Sequence, residues 1–294
     1  MELKYKMGVN DWLERSDSTQ NEQTFISKQL WIKLVTNSIQ RAYRFYSEFF
    51  NIPIENIDYE KLTYDYEEHY LHAISLGLFQ SGGIREKDHL NLWCLSQVFL
   101  PEVYIESGVF IGSSLHAFIN TSSIKQIYAI DPNINRLNIP KENLSKVKLI
   151  SDQDFSQIKF NLSGIKSLVY FDDHINTAKR IIQASEKGLQ YLLFDDSTGL
   201  EGICQRLYPA LPTIPMIINS DLLSPGDKLH WSFSTTNRAK TRVKLNITEE
   251  FINECNMAKS LINSYQQIPN LGEMIPQLNP EKMNDQNKYL IQLK

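Results

Sequence analysis

The sequence predicts an α/β fold: a mostly parallel, doubly wound sheet with helices on both faces, preceded by a helical N-terminal region. Two observations carry that reading. Five apolar runs of strand length follow one another: VYIES (103–107), QIYAID (126–131), VKLIS (147–151), SLVYFDD (167–173) and QYLLFDD (190–196). Helical patterns lie between several of them, and strands joined by helices imply right-handed crossovers into a parallel sheet. The first hundred residues instead repeat their apolar positions at helical steps.

Residues 1 to about 20 read as a loose arm. From Glu22 to Phe50, the positions Phe25, Ile32, Val35, Ile39, Tyr43, Tyr46 and Phe50 recur at steps of three, four or seven and predict a long helix. A second helix is expected from about Tyr66 to Phe79, stopped by Gly82–Gly83. A third runs from about Glu86 to Phe99 and is closed by Pro101. After the strand at 103–107 comes a Gly-containing turn and a helix through Leu115, Phe118 and Ile119. The strand at 167–173 is followed by a helix from about Ile175 to Lys187, with Gly188 as its stop. Later, TIPMIINS (213–220), KLHWSFS (228–234) and TRVKLNI (241–247) supply the remaining strands, and 249–265 reads as a helix. The implied division is 1–80, a helical cap or oligomerisation region; 81–265, the α/β core; and 266–294, a polar tail acting as a lid or mobile segment.

The 294 residues are 42% hydrophobic, enough for a sizeable core. A formal net charge of −4 leaves no electrostatic footprint for nucleic acid. Cys94, Cys204 and Cys255 are widely spaced, which suits reduced thiols and a cytoplasmic setting. No apolar run reaches the roughly 18 residues of a membrane span, and the polar start is unlike a signal peptide.

Chemistry concentrates where strand meets helix. In YIESGVFIGSSLHAF, Gly108 permits a sharp turn close to a ligand and Gly112 opens the following helix. The spacing departs from the dinucleotide fingerprint, because Phe110 occupies its second glycine position. Asp131, at the tip of the second strand, stands where an acid accepts the ribose hydroxyls of an adenosine cofactor.

The runs ESGVFIGSS, AIDP, DDH and LLFDD together resemble the class I S-adenosylmethionine-dependent methyltransferases, and more narrowly the macrocin O-methyltransferase-like and cephalosporin-hydroxylase-like branch. The resemblance covers about residues 80–200. It implies a Rossmann-like core, S-adenosyl-L-methionine as methyl donor and a Mg²⁺ ion. Carried over by motif, Glu106, Gly108, Gly112 and the adjacent Ser113 line the methionine part of the donor. Asp131 holds the ribose, and Asp154 in SDQDF lies near the adenine.

Two strand tips end in paired carboxylates, Asp172–Asp173 and Asp195–Asp196. Like charges at about 4 Å repel by on the order of 4 kcal/mol at an effective dielectric near 20, so a positive partner is required. A hard divalent cation is the simplest, with Asp172, Asp195 and Asp196 as its ligands; the alternative is two solvated turns whose aspartates cap helices. His174, beside the first pair, is the candidate base, with Asp172 as its partner in catalysis. The acceptor is then a small hydroxyl-bearing molecule such as a sugar or natural product. Rival readings are an NAD-dependent oxidoreductase, a Mg-dependent sugar-nucleotide enzyme and a non-catalytic binding subunit. His116 reads as structural. His69 and His72 share a helical face, and nothing else in the sequence completes a metal site there.

Overall fold

The computed structural model describes all residues except 1–2, 8–11, 18–22, 81–82, 85, 163, 198–210, 235–239 and 272–286. At 3–7, 12–17, 23–26, 196–197, 230–234, 240–243 and 287 it describes the backbone alone. The expected arm is in fact a three-stranded antiparallel sheet of β1 (Leu3–Met7), β2 (Trp12–Asp17) and β3 (Gln23–Ser27). Helix α1 (Lys28–Phe50) begins six residues later than its periodicity suggests, because Ser27 caps it by accepting the Leu30 N–H. Helix α2 (Tyr59–Ser75) also lies earlier than expected, set by Asp58, which accepts the Lys61 N–H. Helix α3 (Glu86–Phe99) falls where the sequence places it.

The core follows as β4 (Val103–Ser107), α4 (Ser113–Ile119), β5 (Gln126–Ile130), β6 (Val147–Ile150), β7 (Ser167–Phe171), α5 (Thr177–Glu186) and β8 (Tyr191–Ser197). The run at 213–220, expected as a strand, is instead helix α6 (Ile214–Ile218): Thr213 caps it and Pro215 sits in its first turn, where a missing N–H costs nothing. Strands β9 (Lys228–Ser234) and β10 (Lys240–Asn246) pair only with each other, outside the main sheet. Helix α7 (Glu249–Leu261) leads into β11 (Ile262–Gln267), and β12 (Asn287–Leu293) closes the chain.

The main sheet has seven strands in the order β11-β12-β8-β7-β4-β5-β6. Strands β6, β5, β4, β7 and β8 are parallel neighbours, and β12 enters antiparallel between β8 and β11. The fold is Rossmann-like, as the sequence implies. The last residues of the tail belong to the core: Leu290 and Ile291 pair with Leu193 and Leu192 and are fully buried.

Alternating side chains feed two cores. Tyr104, Leu168, Tyr170, Leu193 and Leu290 face one side, with Tyr46, Leu95 and Phe118 of α1, α3 and α4. Val103, Ile105, Val169, Phe171, Leu192 and Ile291 face the other, with Ile181 of α5 and Ala258 of α7. Burial on both faces is why these strands read as unbroken apolar runs. It also makes the N-terminal helices one wall of the core. Phe50 of α1 stacks on Phe99 and meets Tyr191 of β8 edge-on.

Gly108, at φ +95°, locks the two loops above β4 and β7 together. A Cβ there would lie 2.2 Å from the Asp172 carbonyl oxygen and 2.8 Å from the Asp173 nitrogen. Gly108→Ala is therefore expected to lower stability by on the order of 3 kcal/mol or more. Gly188→Ala, at φ +70° with open space around it, should cost only about 1 kcal/mol. Urea midpoints of the two variants check this, and equal losses would show that the loops yield freely.

Candidate functional site

The carboxyl ends of β4, β5, β7 and β8 form one rim, and most of the sequence-picked residues lie along it. Asp131 follows β5 and is nearly buried. Its Oδ2 accepts the Phe110 N–H at 2.8 Å and its Oδ1 the Asn133 N–H at 2.7 Å. The carboxylate is thus fixed beside the β4–α4 turn, with lone pairs left for further donors. Phe110 itself adopts φ +50°, and the Arg136 guanidinium lies over its ring.

Glu106 stands one residue inside the rim of β4, fully buried between Ala129 and Tyr170 of the flanking strands. Its carboxylate oxygens accept hydrogen bonds from Tyr104 Oη and Ser114 Oγ. Burial pushes its pKa up to about 8; the two hydroxyls pull the other way and the Asp131 charge adds to the rise.

The described aspartates of the two strand tips divide between the two faces of the sheet. Asp173 turns toward the α5 face, where its Oδ2 accepts from Arg180 Nε at 2.9 Å and Ser107 Oγ at 2.6 Å. The same guanidinium, 1% exposed, forks onto Asp154 with Nη1 at 3.0 Å from Oδ1 and Nη2 at 2.6 Å from Oδ2. Asp154, expected beside an adenine, is therefore committed to this clamp and to capping the 3-10 turn at Phe155–Gln157. Arg180 holds it well below the usual carboxylate range.

Asp195 faces the opposite side. Lys288 of β12 donates to its Oδ1 at 2.7 Å and Tyr170 Oη to its Oδ2 at 2.9 Å, and Asp88 of α3 lies 3.5 Å from the same ammonium. Burial pulls the Lys288 pKa down, but Asp195 and Asp88 outweigh it and hold the group above the ordinary lysine range. Asp172 faces this cluster too, since its charge acts on Tyr104, Tyr170 and Lys288. The side chain of Asp196 lies outside the described residues.

This arrangement gives Asp195 a protein partner where the sequence led to the expectation of a cation held by Asp172, Asp195 and Asp196. The charge that balances Asp195 is a buried lysine. A divalent ion about 4 Å from that ammonium would be repelled by roughly 8 kcal/mol at an effective dielectric near 20. Asp195, bonded to Lys288 and Tyr170, has both carboxylate oxygens engaged within the protein. Among the described residues the one acid, histidine or cysteine group with metal-ligand spacing lies elsewhere, at His69, His89 and His116.

The remaining picks divide. His174 sits in the β7–α5 turn in a left-handed conformation, φ +54°, two residues ahead of Asn176, which caps α5. Ser113 donates its hydroxyl to the Leu78 carbonyl, and the open side of Gly112 is filled by Leu137 and Ile139. Those two residues tie the turn to the rest of the protein. Lys288 was missed because it sits in a polar tail; the only signal was the apolar YLI that follows it.

No protein-family profile matches the sequence, and no curated protein does. Among solved structures the chain is similar to an O-methyltransferase from Bacillus cereus in complex with SAH, at 9% identity and a TM-score of 0.39 over 89% of this chain and 99% of that one. A second is an SAH-bound methyltransferase from Podospora anserina, at 13% identity and a TM-score of 0.36 over 83% and 98%. Shorter matches are to cmcI with SAH (23% identity, TM-score 0.30) and with Mg-SAM (24%, 0.28), each over 37% of this chain. The chain spans 57% and 50% of the length of those two.

The raised pKa of Glu106 gives a signed prediction. Between about 4.5 and about 8 the unfolded chain loses this proton while the folded chain keeps it. Stability is then full below the lower value and falls as pH rises through that window, by up to about 1.4 kcal/mol per unit. Glu106→Gln should remove that slope in urea unfolding between pH 5 and 8; parallel slopes for both proteins would assign it to another group.

Proposed function

We propose that this chain is an S-adenosylmethionine-dependent methyltransferase that methylates a hydroxyl of a small molecule such as a sugar or natural product. The observation that carries the proposal is the hydrogen bond from the Phe110 N–H to Asp131. In a dinucleotide site the loop after the first strand offers free amides, and a glycine lets the pyrophosphate approach. Here that position is phenylalanine and its amide already serves a carboxylate. A phosphate at the same place would meet a fixed negative charge. A nucleoside without phosphate suits it, because the remaining lone pairs of Asp131 accept ribose hydroxyls.

The bound donor supplies an electrophilic methyl group on a positively charged sulfur. The protein's part is to hold the partners in line and exclude water. Asp131 positions the ribose end, and Glu106 with Tyr104 and Ser114 closes the floor of the β4–α4 turn. Asp172 and His174, on the adjoining β7–α5 turn, are the groups placed to take the acceptor's proton. The Lys288–Asp195–Asp88 cluster balances charge on the same face, so this reading needs no divalent ion at Asp195.

Calorimetric titration of the full chain should show binding of S-adenosylhomocysteine and none of NAD. Asp131→Asn should weaken that binding about ten-fold or more, or about 1.4 kcal/mol. Preference for NAD would establish the oxidoreductase reading, and absence of any nucleoside binding would leave a scaffold role. Methyl transfer to a panel of small hydroxyl compounds should persist in excess EDTA; complete loss of turnover there would restore the cation to the site.

A further inference from the structure

Four of the six histidines meet in one place, away from the sheet rim. His69 and His72 come from α2, His89 from α3 and His116 from the middle of α4. His69, His89 and His116 are buried, and one nitrogen from each lies within 4.8 Å of the others. A hydrogen-bonded stack of neutral imidazoles explains part of this. His116 Nε2 is 3.0 Å from His72 Nδ1, His116 Nδ1 is 3.1 Å from His89 Nε2, and Tyr66 Oη is 3.4 Å from His89 Nδ1.

That network leaves His69 over. Its Nε2 is buried without a hydrogen-bond partner, while its ring stacks on His116 at 4.2 Å and on His89 at 5.3 Å. An unpartnered buried polar nitrogen costs about 1–3 kcal/mol, a cost that bonding to a ligand removes.

We propose that His69, His89 and His116 form a binding site for a divalent transition metal of the zinc class. Partner accounting assigns the atoms. His69 offers Nε2, the orphan. His89 offers Nε2, with its Nδ1–H directed to the Tyr66 oxygen. His116 offers Nδ1, with its Nε2–H donated to His72 Nδ1. A second-shell acceptor on the far nitrogen is how ligating histidines are oriented. Tetrahedral zinc at about 2.0–2.1 Å from each nitrogen spaces its ligands by about 3.3 Å, close to the 3.1 Å already separating His89 and His116. Burial keeps all three imidazoles neutral, the form that binds metal. A cleft of about 360 Å³, lined by Asp65, Glu68, His69, His72, Trp93 and Gln97, reaches the edge of the cluster at His69 and His72. Imidazole ligands without thiolates suit zinc, cobalt, nickel or copper over magnesium or calcium. The ion would tie α2 and α3 to α4, and the site is separate from the proposed methyl-transfer residues.

The test uses the full chain without a polyhistidine tag, stripped with chelator and then exposed to zinc chloride. Elemental analysis after gel filtration should find about one zinc per chain, and Tm should rise with zinc. His69→Gln and His89→Gln, folded by circular dichroism, should retain less than about a tenth of that. Asp221→Asn, at an exposed position away from the cluster, should retain it all. Wild-type protein that binds no zinc, or glutamine variants that bind as much as wild type, would overturn the proposal. Should the variants not fold, Co²⁺ added to the wild type decides: strong tetrahedral d–d absorption with imidazole scattering in X-ray absorption supports the site, and an octahedral aquo-like spectrum refutes it. Each result is independent of whether S-adenosylhomocysteine binds.

Discussion

Two buried cations decide how the sheet rim is organised. Arg180 on one face and Lys288 on the other each neutralise a strand tip that would otherwise repel itself. Removing one partner from a buried pair typically costs about 3–5 kcal/mol, because it leaves an uncompensated charge. Each tip is therefore stable only once the element carrying its cation has packed against it. Arg180 comes from the helix directly after β7, a local connection. Lys288 arrives from the end of the chain, 93 residues beyond Asp195. The antiparallel β12 is thus more than an extra strand: it delivers the charge on which the β8 tip depends.

That division of labour separates structure from chemistry among the acids. Asp173 and Asp154 share one guanidinium on the α5 face, framed by Phe155 and Phe171, whose rings stand within 6 Å of it. They hold the loops above β6 and β7 in place. Asp172, Asp195 and Glu106 share the other face with Tyr104, Tyr170 and Lys288, where protonatable groups stand close together in a water-poor setting. One covalent bond along the chain, between Asp172 and Asp173, carries the boundary between the two environments. Gly108 makes it possible, because only a residue without a Cβ lets the β4 turn pass under that backbone.

How much of this could be read from the sequence follows from which forces are local. Strands β4, β5, β7 and β8 were legible because parallel strands buried on both faces leave unbroken apolar runs. That Asp131 and Glu106 stand at strand ends was legible because each closes an apolar run of strand length. The ends of α1 and α2 were less so: the α1 stripe starts before its cap and the α2 stripe was read only from about Tyr66, whereas Ser27 and Asp58 choose the first turns. Helix α6 was lost to the same ambiguity, since a five-residue apolar run has no period to read. The N-terminal strands alternate in the sequence but are short and mostly polar. The partners of the acids were not legible at all. Nothing near Asp195 announces Lys288, and nothing in the spacing of His69 and His72 announces His89 and His116, because those meetings are made by tertiary packing.

The N-terminal helices consequently change meaning. Read as a cap, they would be an accessory to a self-sufficient α/β core. In the structure they supply Asp88 to the lysine cluster, three of the four grouped histidines, and the aromatic surface that covers β8. Helix α4 joins the two regions physically. Its first residue abuts the turn that orients Asp131, and its His116 reaches into the imidazole group about 4.5 Å along the axis, given a rise of about 1.5 Å per residue. A seven-residue helix is too short to be stable by itself. Its position is fixed by what grips it at both ends: Leu78 and Glu106 at the first turn, the histidines and Phe118's stack on Tyr104 beyond. The same short helix thus packs against α2 and α3 through His116 and against the β4–α4 turn through Ser113 and Ser114.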